Sequence, residues 1–135
     1  MIRVLVVDDH DFFRQCLVDL VNTSDGLEAV GECCDGTEVT AAVRALGPQV
    51  VLMDVRMAAM SGLEATAALQ RDGSSTRVIM LTSDTAETTR VAARANGAAG
   101  YLLKGSDADR VVEAIHRVAA GGTAWPEDLE PCVAT

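Results

Sequence analysis

The sequence predicts an α/β domain built on a five-stranded parallel sheet, with five helices covering both faces. Three observations predict it. Valine- and leucine-rich runs of four or five residues recur along the chain, as strands buried on both faces require. Segments with apolar residues at helical spacing alternate strictly with these runs across short loops, which implies right-handed crossovers between parallel strands. The runs also end in carboxylate, hydroxyl or ammonium side chains, so polar groups gather at the carboxyl ends of the strands.

The first strand is Arg3-Val4-Leu5-Val6-Val7, and it stops at Asp8-Asp9-His10-Asp11. From Asp11 to about Val21, the residues Phe12, Cys16, Leu17, Leu20 and Val21 recur at helical spacing. The acidic first turn of that helix suits its dipole. After the loop Asn22 to Gly26, Ala29 to Cys33 forms a weaker, partly polar strand nearer an edge. Asp35-Gly36-Thr37 starts a second helix that runs to Leu46, and Gly47-Pro48 ends it.

The third strand, Val50-Val51-Leu52-Met53, carries Asp54 at its end. Gly62 to Gln70 is helical, and Val78 to Leu81 is the fourth strand, ending at Thr82-Ser83-Asp84. Ala86 to Ala95 is an Ala- and Arg-rich helix with a weak apolar stripe, expected to be loosely held. The fifth strand, Gly100 to Leu103, ends at Lys104-Gly105. The last helix runs from Asp107 to Ala119, with Val111, Val112, Ile115 and Val118 facing inward.

Among doubly wound sheets, the flavodoxin-like order 2-1-3-4-5 fits this count. In that order the first and third strands are neighbours and their carboxyl ends meet at the switch point. Asp8, Asp9 and Asp54 then converge, and Thr82 and Lys104 share the rim. Alone, Asp54 could be a nucleophile, a metal ligand or a cap for the next helix. Three carboxylates in one crevice repel, and a hard divalent cation such as Mg2+ resolves the repulsion. With the ammonium of Lys104, the charges −3, +2 and +1 sum to zero. Of the 11 basic residues, ten are arginines and Lys104 is the one lysine, so its role is easily checked.

Composition narrows the function. With 135 residues, 49% of them hydrophobic, the chain forms one domain with a sizeable core. The apolar runs are too short to span a membrane, and no signal peptide opens the chain, so a cytoplasmic protein is expected. A net charge of −9 disfavours direct binding to nucleic acid or to an anionic membrane. Cys16, Cys33, Cys34 and Cys132 lack zinc-type spacing and are expected to be free core thiols, with Cys33 and Cys34 on opposite faces of a strand.

Four segments carry a family resemblance: Val4-Leu5-Val6-Val7-Asp8-Asp9-His10, Val50-Val51-Leu52-Met53-Asp54-Val55-Arg56-Met57, Ile79-Met80-Leu81-Thr82-Ser83 and Gly97-Ala98-Ala99-Gly100-Tyr101-Leu102-Leu103-Lys104. Together they resemble the receiver domain of two-component response regulators, over roughly residues 2 to 120. The Asp-Asp-His opening and the Gly-Tyr-Leu-Leu-Lys segment are most similar to receivers preceding a LuxR/NarL-type helix-turn-helix domain. The resemblance implies Asp54 as phosphoacceptor, with Asp9 and Asp54 as direct Mg2+ ligands. It also implies Asp8 acting through water and the Arg56 carbonyl completing the protein ligands. Lys104 would hold a phosphoryl oxygen, Thr82 would move toward the phosphoryl group, and Tyr101 would turn inward behind it. A histidine kinase is the implied donor. The domain would catalyse its own phosphorylation and dephosphorylation but act mainly as a signalling switch, through homodimerisation or an attached transcriptional effector.

The sequence also departs from that family. Ala58-Ala59 follows Met57 where proline is usual, so a softer loop is expected. Ser61 replaces the usual Asp or Asn before Gly62. Gly105 follows Lys104 where proline is common, and a trans bond is expected because a cis non-proline bond costs about 2.5–4 kcal/mol. Asp84 is expected to pair with Arg56 across the mouth of the site. His10 is expected on the rim rather than as a ligand, and His116 on the surface. Met57 and Met60 suit loop packing or a partner surface.

Residues 1–121 are expected to form the receiver domain and 122–135 a linker or tail, where Trp125 could pack back on the domain. Thr123 to Thr135 is too short for two helices and a turn, so any effector domain is expected outside this chain. A phosphorylation-independent pseudo-receiver is the alternative. A haloacid-dehalogenase-type phosphatase is disfavoured because Asp54-Val55-Arg56 lacks the Asp-x-Asp pattern, and an FMN site because the acidic first loop would repel phosphate.

Overall fold

A computed structural model describes residues 1–129. Its parallel strands β1 (Ile2–Val7), β2 (Leu27–Cys33), β3 (Val50–Met53), β4 (Arg77–Thr82) and β5 (Gly100–Leu103) form one sheet in the order 2-1-3-4-5. Helices α1 (Asp11–Thr23) and α5 (Ala108–Ala119) cover one face. The other face carries α2 (Val39–Leu46), α3 (Gly62–Arg71) and α4 (Glu87–Ala95). A four-residue helix, α6 (Pro126–Leu129), follows as a sixth helix beyond the expected five. No helix among the described residues is long and apolar enough to cross a membrane.

The continuous apolar strands are explained by the two-residue period of a pleated strand. Val4, Val6, Val50, Leu52, Ile79 and Leu81 point into the core under α1 and α5. Their neighbours Leu5, Val7, Val51, Met53, Val78 and Met80 point into the core under α2, α3 and α4. β2, expected near an edge, is the outer strand, and its partly exposed residues match that position.

Several local expectations are corrected. The second helix begins as a 3-10 turn, Gly36–Glu38, with α2 proper starting at Val39, because the Asp35 side chain caps Thr37 N–H at 2.9 Å. Phe12 is 84% exposed, and Phe13 packs inward instead. At 100° per residue, Phe13 lies roughly 40° from the direction of buried Leu17, whereas Phe12 lies roughly 140° away. Cys16 and Cys34 are exposed rather than core thiols; Cys33 is buried opposite Cys34, and Cys132 lies outside the described residues. Burial pushes the Cys33 thiol up to about 11. The peptide bond after Lys104 is trans.

Residues expected to begin a linker pack on the domain. Ala124 bridges to Gly100 beside β5, and Trp125 is 4% exposed. In α4, Ala93 is the buried residue, consistent with a lightly anchored helix.

Candidate functional site

The carboxyl edge of the sheet assembles the site through its register. Val7 of β1 is level with Met53 of β3, so Asp8 and Asp54 emerge side by side where the strands end. Two further ladder bonds carry the pairing past the strands, from Asp8 N–H to the Cys33 carbonyl (3.1 Å) and from Asp54 N–H to the Val7 carbonyl (3.0 Å). On the far side, Thr82 of β4 pairs with Leu103 of β5, and Lys104 N–H donates to the Thr82 carbonyl at 2.8 Å.

Lys104 closes this crevice from above. Its Nζ lies 3.1 Å from Asp54 Oδ2 and 3.0 Å from Asp8 Oδ2, and 4.7 Å from the centre of the Phe13 ring. Asp8 is fully buried and Asp54 is 5% exposed, while Asp9 stands at the opening. Burial raises the Asp54 pKa above the ordinary carboxyl value; Lys104 opposes the rise and the Asp8 charge adds to it, with Arg56 N–H also bonded to the carboxylate. For Lys104, burial works against the ammonium, but Asp8 and Asp54 outweigh it and hold its pKa above the usual lysine value.

Candidate ligand atoms of Asp8, Asp9, His10 and Asp54 lie within 4.8 Å of one another. His10, expected only on the rim, has an exposed ring, yet its Nδ1 reaches 3.2 Å from both Asp8 Oδ1 and Asp9 Oδ1. Asp8 Oδ2 is sealed from solvent, and although Lys104 Nζ is near, no donor meets that oxygen in hydrogen-bonding geometry. A buried carboxylate oxygen with an unspent lone pair, facing two further carboxylates, suits a hard divalent cation. The residues therefore fit Mg2+.

Thr82 and Tyr101 meet at Asp84 rather than at Asp54. The buried Thr82 hydroxyl accepts from Asp84 N–H at 3.1 Å, and the Tyr101 hydroxyl donates to the Asp84 carbonyl at 3.1 Å. The Asp84 carboxylate takes Arg56 Nη2 at 2.5 Å, the pair expected across the mouth. It also accepts from Ala86 N–H and the Thr89 hydroxyl, both at 2.8 Å, at the start of α4. These partners hold its pKa down to about 2, the Ala86 and Thr89 hydrogen bonds foremost.

The loop after Asp54 is tied down despite its missing proline. Asp35 accepts from Ala59 N–H (2.9 Å) and Met60 N–H (3.1 Å), and Gly36 N–H donates to the Met60 carbonyl (3.3 Å). Ser61 caps α3 where Asp or Asn is usual: with Glu64 it forms a reciprocal capping box at the start of the helix. Met57 and Met60 are partly buried against the core, and His116 is exposed, as expected. Sequence reasoning missed Phe13 beneath the ammonium and the Asp35 tether; Trp125 packs back on the domain, as the sequence allowed. Only Phe13 had a usable signal, the helical phase of Leu17 and Val21.

The fold and site define a doubly wound, flavodoxin-like domain with an acidic pocket and a facing lysine at its topological switch point. The model of the response regulator receiver domain matches residues 4–116, and the chain belongs to that family. It is 43% identical over 121 residues to the response regulator GacA of Pseudomonas protegens, covering 90% of this chain and 57% of that protein. It is 38% identical over 125 residues to the nitrate/nitrite response regulator NarP of Escherichia coli K12, covering 93% and 58%. The chain thus spans a little under three-fifths of these curated relatives. Among solved structures, the signal receiver domain of the response regulator NarL from Mycobacterium tuberculosis has a TM-score of 0.86 at 35% identity, with 89% and 97% coverage. A LuxR-family two-component response regulator from Aurantimonas sp. SI85-9A1 has a TM-score of 0.88 at 30% identity, with 94% and 91% coverage. Relatives of the LuxR/NarL type are therefore prominent, as the sequence motifs imply.

Proposed function

We propose that this receiver domain accepts a phosphoryl group on Asp54 and acts as a signalling switch. One observation carries the reading: the Lys104 ammonium lies between the buried Asp54 and Asp8 carboxylates, at the open end of the sheet. A carboxylate oxygen of Asp54 attacks phosphorus, and the bond from phosphorus to the donor's leaving atom breaks, giving an aspartyl phosphate. Positioning and charge neutralisation supply nearly all of the catalysis in such a transfer. Lys104 takes a phosphoryl oxygen, Phe13 steadies the ammonium from below, and Thr82 offers its hydroxyl to another oxygen. Asp9, Asp54 and the Arg56 carbonyl would hold Mg2+ directly and Asp8 through water, and the ion would supply the positive charge that lets several anions share the pocket.

A histidine kinase is the physiological donor, in the cytoplasm, and the output is a binding event: homodimerisation or control of a transcriptional effector. Residues 1–121 serve as the receiver and 122–135 as a linker or tail. The acidic net charge leaves nucleic-acid contact to another segment.

Intact mass spectrometry with acetyl phosphate and Mg2+ tests the proposal. A single phosphoryl adduct is expected, absent from Asp54→Asn and from samples treated with a chelator. An unmodified wild-type chain would instead favour a phosphorylation-independent binding module.

A further inference from the structure

The backbone of Asp8 is held at both of its polar groups. Its N–H donates to the Cys33 carbonyl, and its own carbonyl accepts from Arg14 Nη1 at 2.8 Å. Arg14, on α1, is fixed in turn: Nε donates to Glu32 Oε1 of β2 at 3.0 Å, and Nη2 to Asp11 Oδ1 at 2.8 Å. Its side chain is 14% exposed, so water competes little for these bonds. The carbonyl it holds belongs to the planar Asp8–Asp9 peptide, so Arg14 restrains the direction in which the chain enters Asp9.

The other half of the pocket is held from the turn that follows β2. The loop leaving Asp54 is closed at its base by Gly62 N–H, which donates to the Val55 carbonyl at 2.7 Å. Its far limb is bonded to Asp35, which takes the Ala59 and Met60 amides on separate oxygens. Thr37 N–H donates to Asp35 Oδ2 at 2.9 Å and aims that carboxylate. Gly36 lets the two backbones close together: a Cβ there would lie 2.5 Å from the Met60 carbonyl oxygen. Neither Arg14 nor Asp35 is among the candidate ligands of the acidic pocket.

We propose that Arg14 and Asp35 are positioning residues that set the Mg2+ affinity of the pocket, one by holding the Asp8–Asp9 peptide and the other by holding the loop that bears Arg56. This rests on the reading above in which Asp9, Asp54 and the Arg56 carbonyl take the ion. Mg2+ demands near-ideal octahedral geometry at short distances, so ligands on two separate loops serve it only when both loops are fixed. A pocket assembled during folding spares binding the cost of ordering them. The second loop has the greater need of a restraint, because Ala58-Ala59 stands where a proline would stiffen it.

Charge and restraint act in opposite directions at Arg14, which makes them separable. Removing a cation near the pocket tightens Mg2+ binding through charge alone, whereas releasing the Asp8–Asp9 peptide weakens it. NMR titration of the full chain with MgCl2, without a phosphodonor, measures the affinity through the amides of the pocket. Arg14→Met and Asp35→Ala are each expected to weaken Mg2+ binding roughly 10-fold, the scale on which losing the supports of metal ligands acts. Arg14→Lys keeps the charge but not the planar fork, and is expected to lose affinity in the same direction. Adding Ala58→Pro to Asp35→Ala is expected to restore part of the affinity, which a role through the Asp35 charge would not allow. Circular dichroism verifies that each variant is folded; if Arg14→Met is not, Arg14→Lys takes its place. Unchanged or tighter binding in the Arg14 variant overturns the role of Arg14. Unchanged affinity in Asp35→Ala, or no recovery with the proline, overturns that of Asp35. A wild-type chain with no saturable response to MgCl2 overturns the metal reading itself, and this proposal with it.

Discussion

Lys104 Nζ lies 3.1 Å from Asp54 Oδ2, joining residues that are 50 positions apart in the chain. The same ammonium lies 3.0 Å from Asp8 Oδ2, so one cation serves two buried carboxylates. Lys104→Met leaves those carboxylates facing each other with no such cation between them. Breaking a fully buried pair costs about 3–5 kcal/mol; the lysine end is partly solvated, so a loss of roughly 1–2 kcal/mol is expected in metal-free buffer. Urea unfolding checks it. Added Mg2+ should recover most of the loss, because it supplies the missing positive charge.

Gly62 packs against the Asp54 backbone. A Cβ there would lie 2.0 Å from the Asp54 carbonyl oxygen and 2.8 Å from the Met80 methyl. Gly62→Ala must displace backbone rather than a flexible side chain, and should cost roughly 1–3 kcal/mol or more. Gly105→Ala is the control: nothing lies within 4 Å of its added Cβ, and a change within about 0.5 kcal/mol is expected. Equal thermal midpoints for the two variants would contradict this account of the β3–α3 connection.

Asp84 sets a pH dependence whose sign is determined. Its folded pKa is about 2, below the ordinary 3.8, so its hydrogen bonds favour folding above about pH 4 and are lost as the pH falls through about 2. An NMR titration should place the Asp84 carboxyl midpoint near 2, with the Ala86 amide shifting in step. A midpoint near 3.8 would mean that Arg56 and the α4 cap do not hold the carboxylate in solution.

Asp35 replaces the missing proline as the restraint on the Ala58–Met60 loop. In Asp35→Ala, the Ala59 and Met60 amides lose their acceptors and should exchange with solvent faster, while amides in β3 keep their protection. Hydrogen-exchange mass spectrometry on the peptide spanning residues 55–63 measures the effect. Unaltered exchange in that peptide would show that the loop is restrained by something other than Asp35.

Much of the site was legible before any coordinates. Strands buried on both faces announce themselves as continuous apolar runs, and each run here ends on a residue that the sheet order must bring to a common rim. Asp8, Asp9, Asp54, Thr82 and Lys104 could therefore be assembled from strand order alone. Asp84 was matched with Arg56 because both positions flank that rim. Phe12 was misassigned because Phe12 and Phe13 stand side by side in the first helical turn and leave the phase open by one position, which the phase of Leu17 and Val21 resolves toward Phe13. Cys16 was misassigned for a similar reason, since its apolar character fits the stripe but its angle places it at the solvent edge.

By itself the amino-acid sequence determined the α/β alternation, the strand order and the residues that share the acidic pocket. Those depend on hydrophobic period and on the handedness of crossovers, both of which are local or general. Only the tertiary structure decided that Phe13 underlies Lys104, that Asp35 holds the loop after Asp54, that Asp84 joins Thr82 to Tyr101, and that Trp125 is seated between Tyr101 and Arg94. Each of those relationships depends on the reach and angle of side chains from separate elements, and such angles are set when the elements pack.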